Sequence, residues 1–306
     1  MKHRIRMVLP YSIKSAVGAG LCLFLFSCGD PAQETDTTTA VDTLTNTTPK
    51  ETEVLNVGGK LFSIPSPTQT AMAMRSAGLE YHKESTAPLE KGGTATSKTS
   101  QSLLLGVFGA DLSYSTVHKD GQRALATMQA IEKLGNRLEV SNAFDKALMD
   151  RFKSNLGSED SLMRFSGIAF RAADRYLKNN KRDDVSSLVL AGGWVESLYL
   201  TVSDPAAVKS EALMNRIGEQ KNVLTGLIEI LVAADTDNSA EELVKQLKAL
   251  QGHFAGVTST YTFEQPVTET ASKTTYIKSK TSVTIPENTL QEIVKSVTSI
   301  RSMIIA

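Results

Sequence analysis

Pro286-Glu287-Asn288-Thr289-Leu290-Gln291-Glu292-Ile293-Val294-Lys295-Ser296-Val297-Thr298-Ser299-Ile300-Arg301-Ser302-Met303-Ile304 carries its apolar residues at Leu290, Ile293, Val294, Val297, Ile300 and Ile304. Steps of three and four put these side chains on one stripe of an α-helix and leave the polar residues on the rest of its surface. Pro286 suits the start, where a helix has no use for the missing N–H. A stripe of this kind is a packing surface, so the segment predicts one member of a helical assembly.

The same pattern recurs upstream. Helices are predicted over about 101–117, 120–138, 141–155, 158–179 and 182–202. Ser66-Pro67 reads as an N-cap followed by proline in the first turn, and Asp204-Pro205 repeats that arrangement ahead of a long apolar-patterned stretch. Ser239 with Glu242 has the spacing of a capping box before Leu243, Leu247 and Leu250.

Between Gly256 and Ile285 the period drops to two. Val257, Tyr261 and Phe263 alternate with Thr258, Thr260 and Thr262, while Ile277, Val283 and Ile285 alternate with Lys278, Lys280 and Thr284. Both runs read as strands. An isolated hairpin is marginal in water, so the pair is expected to lie on the helices, with a short strand near Lys60–Ile64 as an addition to it. The predicted fold is therefore mainly α: a multi-helix bundle over residues 56–306, with a small two-stranded β-arm at about 256–285. Helix lengths and anchor residues differ, which gives no fixed repeat.

The N-terminal end has a different character. Lys2, Arg4, Arg6 and Lys14 precede an apolar run from Ala16 to Phe26 that holds no acid. This is the layout of a secretory signal over residues 1–27, and the run falls short of the roughly 20 residues a membrane-spanning helix needs. It ends in Leu25-Phe26-Ser27-Cys28, which resembles the lipobox of bacterial lipoproteins. That resemblance implies cleavage before Cys28, lipid on its sulfur, and export to a membrane, with the outer membrane favoured by Asp30, Glu34 and Asp36 soon after the cysteine. Two or three acyl chains hold a protein firmly where one binds only reversibly. The other cysteine, Cys22, would leave with the signal, so disulfides, thiolate metal sites and cysteine catalysis are not expected.

Residues 28–55 are expected to form a tether. Cys28 to Lys50 contains eight threonines, four acids and two prolines, too little apolar surface to offset the entropy of ordering. Such a chain reaches roughly 5–6 Å times the square root of its length. Asp36-Thr37-Thr38 and Asp42-Thr43-Leu44 resemble a Bacteroidota-type O-glycosylation pattern, which would place sugar on Thr37 and Thr43; Asp160-Ser161-Leu162 fits the same short pattern.

The whole chain has 33 basic and 33 acidic residues; the first 27 hold four of the former and none of the latter, leaving 29 against 33 and a net charge of −4. A mildly acidic body has no electrostatic reason to bind nucleic acid or anionic lipid. No cofactor is expected: the sequence has no Walker loop, dinucleotide fingerprint, Gly-x-Ser-x-Gly elbow or His-Glu-x-x-His. Asp235, Asp237 and Ser239 begin like a calcium loop, which then fails at Ala240 and Gln246. Beyond the signal there are three histidines, His82, His118 and His253, too few for a histidine-rich metal centre.

Gly106-Val107-Phe108-Gly109-Ala110-Asp111-Leu112-Ser113-Tyr114 and Leu190-Ala191-Gly192-Gly193-Trp194-Val195-Glu196-Ser197-Leu198-Tyr199 resemble segments of a family of Bacteroidota-type lipoproteins. The similarity covers most of residues 60–305 and implies an address, with no activity attached.

Asp111, Tyr114 and His118 fall at spacings of three and four and share one helix face, an acid, a phenol and an imidazole within reach of one another. Trp194 and Glu196 offer a stacking face and an acid beside two glycines. Two readings stay open for each group: a ligand-binding pocket, or a polar network and an aromatic plug that lock helices together. At the level of function the sequence favours a non-enzymatic envelope protein whose body and β-arm bind another envelope component. A small-ligand binder, or an enzyme with carboxylates gathered from distant segments, are the alternatives.

Overall fold

A computed structural model describes residues 53–57, 60–140, 146–155, 176–177, 179–271 and 273–306. Cys28, Thr37, Thr43, the expected signal and nearly all of the expected tether lie outside these residues, as does most of the helix expected over 158–179.

The chain opens with an antiparallel hairpin of β1 (Glu53–Val57) and β2 (Lys60–Ile64). Strand β1 thus falls partly within the stretch expected as tether, and β2 pairs with β1, not with the C-terminal arm. Helix α1 (Pro67–Ser76) follows, with Ser66 as its N-cap. The Ser66 hydroxyl accepts from the Gln69 N–H while the Gln69 side chain returns to the Ser66 N–H, which satisfies two of the four orphan donors of a helix start.

The core is built on two helices, α3 (Lys98–Val117) and α6 (Asp183–Val202). Every residue of α3 from Ser102 to Val117 is buried, as expected of a helix that is apolar all round. Helix α6 is long and apolar enough to cross a membrane by length and composition, yet 72% of its apolar window is buried inside the protein. The two meet backbone to backbone: a Cβ on Gly106 would collide with the Val189 carbonyl, and one on Gly192 with the Leu103 carbonyl.

Helix α4 (Gly121–Arg137) packs on α3 and short α2 (Lys91–Thr94) touches both, while α5 (Lys146–Ser154) buries Phe152 in the same core; α7 (Glu211–Ala234) packs on α6, and α8 (Glu241–Phe254) packs on α7. The last helix, α9 (Glu287–Ile304), buries Ile293, Val297, Ile300 and Ile304 against α6 and α8, the stripe expected from its sequence.

Two expected starts are displaced. The Asp204 carboxylate accepts from the Ala206 N–H in a turn before a short 3-10 helix, and α7 is capped instead by Ser210, whose hydroxyl accepts from Leu213 N–H. Helix α8 begins after Ala240 with no side-chain cap. There the Asp235 carboxylate accepts from the Ser239 hydroxyl and from the Ala240 N–H, and Ser239 stands one residue before the cap position.

Near the C-terminus a β-arm leaves the body. Its root pairs β3 (Thr258–Thr262) with β6 (Lys280–Thr284), and its outer part pairs β4 (Val267–Glu269) with β5 (Thr274–Tyr276). The arm carries a second ladder in the stretch between the two runs read as strands from sequence.

Candidate functional site

Asp111 and Tyr114 lie on helix α3 and His118 is its C-cap, but the fold divides them. The Asp111 carboxyl is completely buried and turns to meet Glu196 of α6 and Arg301 of α9. Glu196, also fully buried, accepts two charge-assisted bonds from Arg301, Nε to Oε2 at 2.7 Å and Nη2 to Oε1 at 2.8 Å. The same Nη2 donates to the Ser85 carbonyl at 2.8 Å, and the guanidinium carbon lies 4.1 Å from the centre of the Tyr199 ring.

Asp111 Oδ2 accepts from the Ala87 N–H at 2.8 Å, while Oδ1 receives no donor from any neighbour. One guanidinium cannot neutralise two buried carboxylates. Burial first, and the Glu196 charge next, hold the Asp111 carboxyl well above the usual carboxylate range. A carboxyl raised in this way favours its protonated form, and as the acid it is the donor in its hydrogen bond with Glu196. Burial also raises Glu196, against the pull of Arg301. This cluster fastens the C-terminal helix to the two central ones. With both carboxyls wholly covered, it has no approach for a substrate.

Tyr114 and His118 form a second group. Their ring centres are 4.7 Å apart, and Tyr81 packs on both, stacked on His118 at 5.5 Å and tilted to Tyr114 at 5.1 Å. Tyr114 Oη donates to the Glu80 carbonyl and accepts from the His82 N–H. Tyr81 Oη donates to Asp120, the N-cap of α4. Burial, then the Asp120 hydrogen bond, pushes the Tyr81 phenol up, and burial followed by the Arg75 charge pulls His118 below its ordinary value. Neutral phenols and a neutral imidazole stitch the segment 80–84 onto the end of α3.

Trp194 stands apart from both groups. Its indole N–H donates to Gln220 of α7 at 2.8 Å, and the cleft it lines with Gln220, Arg216 and Pro65 holds about 30 Å³, far below the roughly 300 Å³ or more of a small-molecule site. The gap left by Gly192 is filled by α3 backbone, so the tryptophan does not plug it. The five candidate residues thus occupy three places. Among the described residues no group of three or more His, Cys, Asp and Glu is placed to hold a metal ion.

Sequence reasoning missed Arg301, Tyr81 and Gln220. Arg301 had a visible signal: it lies four residues after Val297, on the buried stripe, where a charge needs a buried partner.

The feature left open to contact is the arm. Its root is held at both strands by α7. Lys221 Nζ donates to the Val257 carbonyl at 2.8 Å on the way in; on the way out, Asn215 Oδ1 accepts the Val283 N–H at 2.8 Å while the Val283 side chain packs against Gly218. Beyond the root, the Ser279 hydroxyl bridges the N–H and carbonyl of Glu264, and the Thr268 and Thr275 hydroxyls meet at 3.0 Å. Lys273, with φ of 51°, takes the left-handed conformation near the tip.

The arm is not laid on the helices along its length. Tyr261 and Phe263 are each 64% exposed, Ile277 76%, Val267 and Tyr276 45%. Pairing of Ser259 with Val283 and of Tyr261 with Thr281 puts Tyr261 on the face that Val283 presents to α7. The apolar character of the docked root therefore continues outward, uncovered.

The fold defines a mainly α protein with a C-terminal β-arm. No family model, curated protein or solved structure matches the chain.

Proposed function

We propose that this chain is an exported lipoprotein, held at a bacterial membrane through lipid on Cys28, and that it is a binding or assembly protein of the envelope without chemistry of its own. The observation that carries the binding part is the arm. Five large apolar side chains, 45–76% exposed, stand on a ribbon held at its root by Lys221 and Asn215. Clustered aromatic and aliphatic groups of that size on a projecting element mark contact surfaces. The covered state of Asp111 and Glu196 supports the same reading, since these two acids are fully buried and serve to hold helices together.

The address rests on the lipobox resemblance and the layout of residues 1–27, and the outer membrane is the favoured site. A long Thr-rich tether would give the body reach from the bilayer. The test is recovery of the native lipidated protein from membranes after mild crosslinking, beside Cys28→Ala and a triple variant, Tyr261→Ser with Phe263→Ser and Ile277→Ser. A specific adduct that disappears in both variants supports the proposal. The same adduct in all three preparations, or none in any, contradicts it.

A further inference from the structure

The two long edges of the arm are not alike. The edge of β6 and the segment before it carry Lys278 and Lys280, and its Val283 N–H is already taken by Asn215. Lysines along an edge and a covered backbone donor are the usual protections of a strand that must not pair. The β3 edge has neither. Thr258-Ser259-Thr260-Tyr261-Thr262-Phe263 holds no charge and no proline, consists of residues that favour extended backbone, and is exposed throughout.

Which backbone groups this edge offers follows from the ladder. Val283 donates away from β3, so the pair Val283–Ser259 is a non-hydrogen-bonded one, and by alternation so is Thr281–Tyr261. The N–H and carbonyl groups of Ser259 and Tyr261 therefore point outward, where no strand among the described residues pairs with them. A two-stranded ribbon is marginal, whereas a four-stranded sheet with an apolar face is not.

We infer that the β3 edge pairs antiparallel with β3 of a second copy of this chain, about a two-fold axis at Tyr261. In that register Tyr261 exchanges both backbone bonds with its counterpart, and Ser259 lies opposite Phe263. The outward-pointing groups fall in register, and no like charges face each other. Tyr261 and Phe263 of both copies gather on one face of the new sheet. The lysine-bearing edges end on the outside, which closes the assembly at two copies. The contact is small, and shared tethering to one membrane would raise the effective concentration that sustains it. The inference rests on the reading of the arm as a binding surface and names what it binds.

The test uses the full chain in its membrane. A photo-crosslinking phenylalanine analogue at position 263 reports whatever lies against the arm. Tyr261→Cys reports the register, since paired residues of this kind have Cα atoms about 5.5 Å apart, within disulfide range. Expected are a photo-adduct at twice the chain mass and an oxidised dimer from Tyr261→Cys, with none from Thr275→Cys on the opposite strand. Tyr261→Lys, which sets two charges face to face, should sediment as a monomer in mild detergent with its helical circular dichroism intact. The inference is overturned if Tyr261→Cys dimerises no more than Thr275→Cys, or if Tyr261→Lys keeps the dimer mass. A photo-adduct with a different protein and no self-adduct overturns the inference while leaving the arm a binding surface; no adduct at all overturns both.

Discussion

Replacing Arg301 with Met removes a cation held between Glu196 and Tyr199 and leaves the Glu196 carboxylate buried with no counter-charge. The loss comprises two charge-assisted bonds and the tie to the Ser85 carbonyl. Breaking one side of a buried ion pair costs about 3–5 kcal/mol. With a urea slope of roughly 3 kcal/mol per molar, the unfolding midpoint should fall by about 1–2 M. Asp111→Asn should behave quite differently. The amide keeps an acceptor for the Ala87 N–H and donates to Glu196 in place of the acid proton, so its cost near pH 4 should stay within about 1 kcal/mol.

The pH dependence supplies the sharper contrast. Asp111 and Glu196 are both raised above their ordinary values of 3.8 and 4.5, so the folded state binds protons more tightly than the unfolded chain. The stability they contribute is complete below about pH 4 and declines as pH rises through the folded-state values. Asp111→Asn removes the larger share of that decline, so the variant should gain on the wild type from pH 4 upward. Urea unfolding followed by circular dichroism at pH 4, 5.5, 7 and 8.5 measures the difference. If Asp111→Asn is as damaging as Arg301→Met at pH 7, or if its margin against the wild type does not change with pH, the proton assigned to Asp111 is misplaced.

Gly106→Ala should destabilise by about 1–3 kcal/mol through overpacking, because its new methyl meets the backbone of α6 and not a side chain that can swing away; thermal unfolding reads the change, and a neutral result would mean α3 and α6 are farther apart than described. Asn215→Ala should free the root of the arm. The Val283 amide should then exchange with deuterium faster by a factor on the order of 10, the equivalent of about 1.4 kcal/mol, while amides in α3 keep their protection.

Much of the fold was legible because it depends on local period. The stripe from Leu290 to Ile304 and the Ser66 cap needed only their own neighbours to be read. Asp204-Pro205 reads as the start of α7, but the chain after Asp204 first closes a turn and a 3-10 helix, and Ser210 becomes the cap. Ser239 is not the cap because α8 starts one residue later than the spacing to Glu242 implies, after Ala240. The outer ladder of the arm was hidden by Pro266 and by strands of only three residues.

The candidate site was half legible. Spacing on α3 correctly joined Tyr114 to His118, which needs only one helix. It could not show that Asp111 would turn toward Glu196, 85 positions away and on another helix, nor that Arg301 would arrive between them from the C-terminus. The ends of that network come together only once three helices pack. The exposure of the arm was equally invisible, for alternation states which residues share a face and not whether a face is covered.

The tether underlies the address, the reach and the concentrating effect proposed for the arm, and one measurement reaches it directly: the intact mass of the protein extracted from membranes of cells that export it. The account predicts a chain that begins at Cys28 and carries the added mass of a diacylglyceryl group, with or without a further acyl chain on its amine. A chain that retains residues 1–27, or one cut elsewhere and free of lipid, would contradict it.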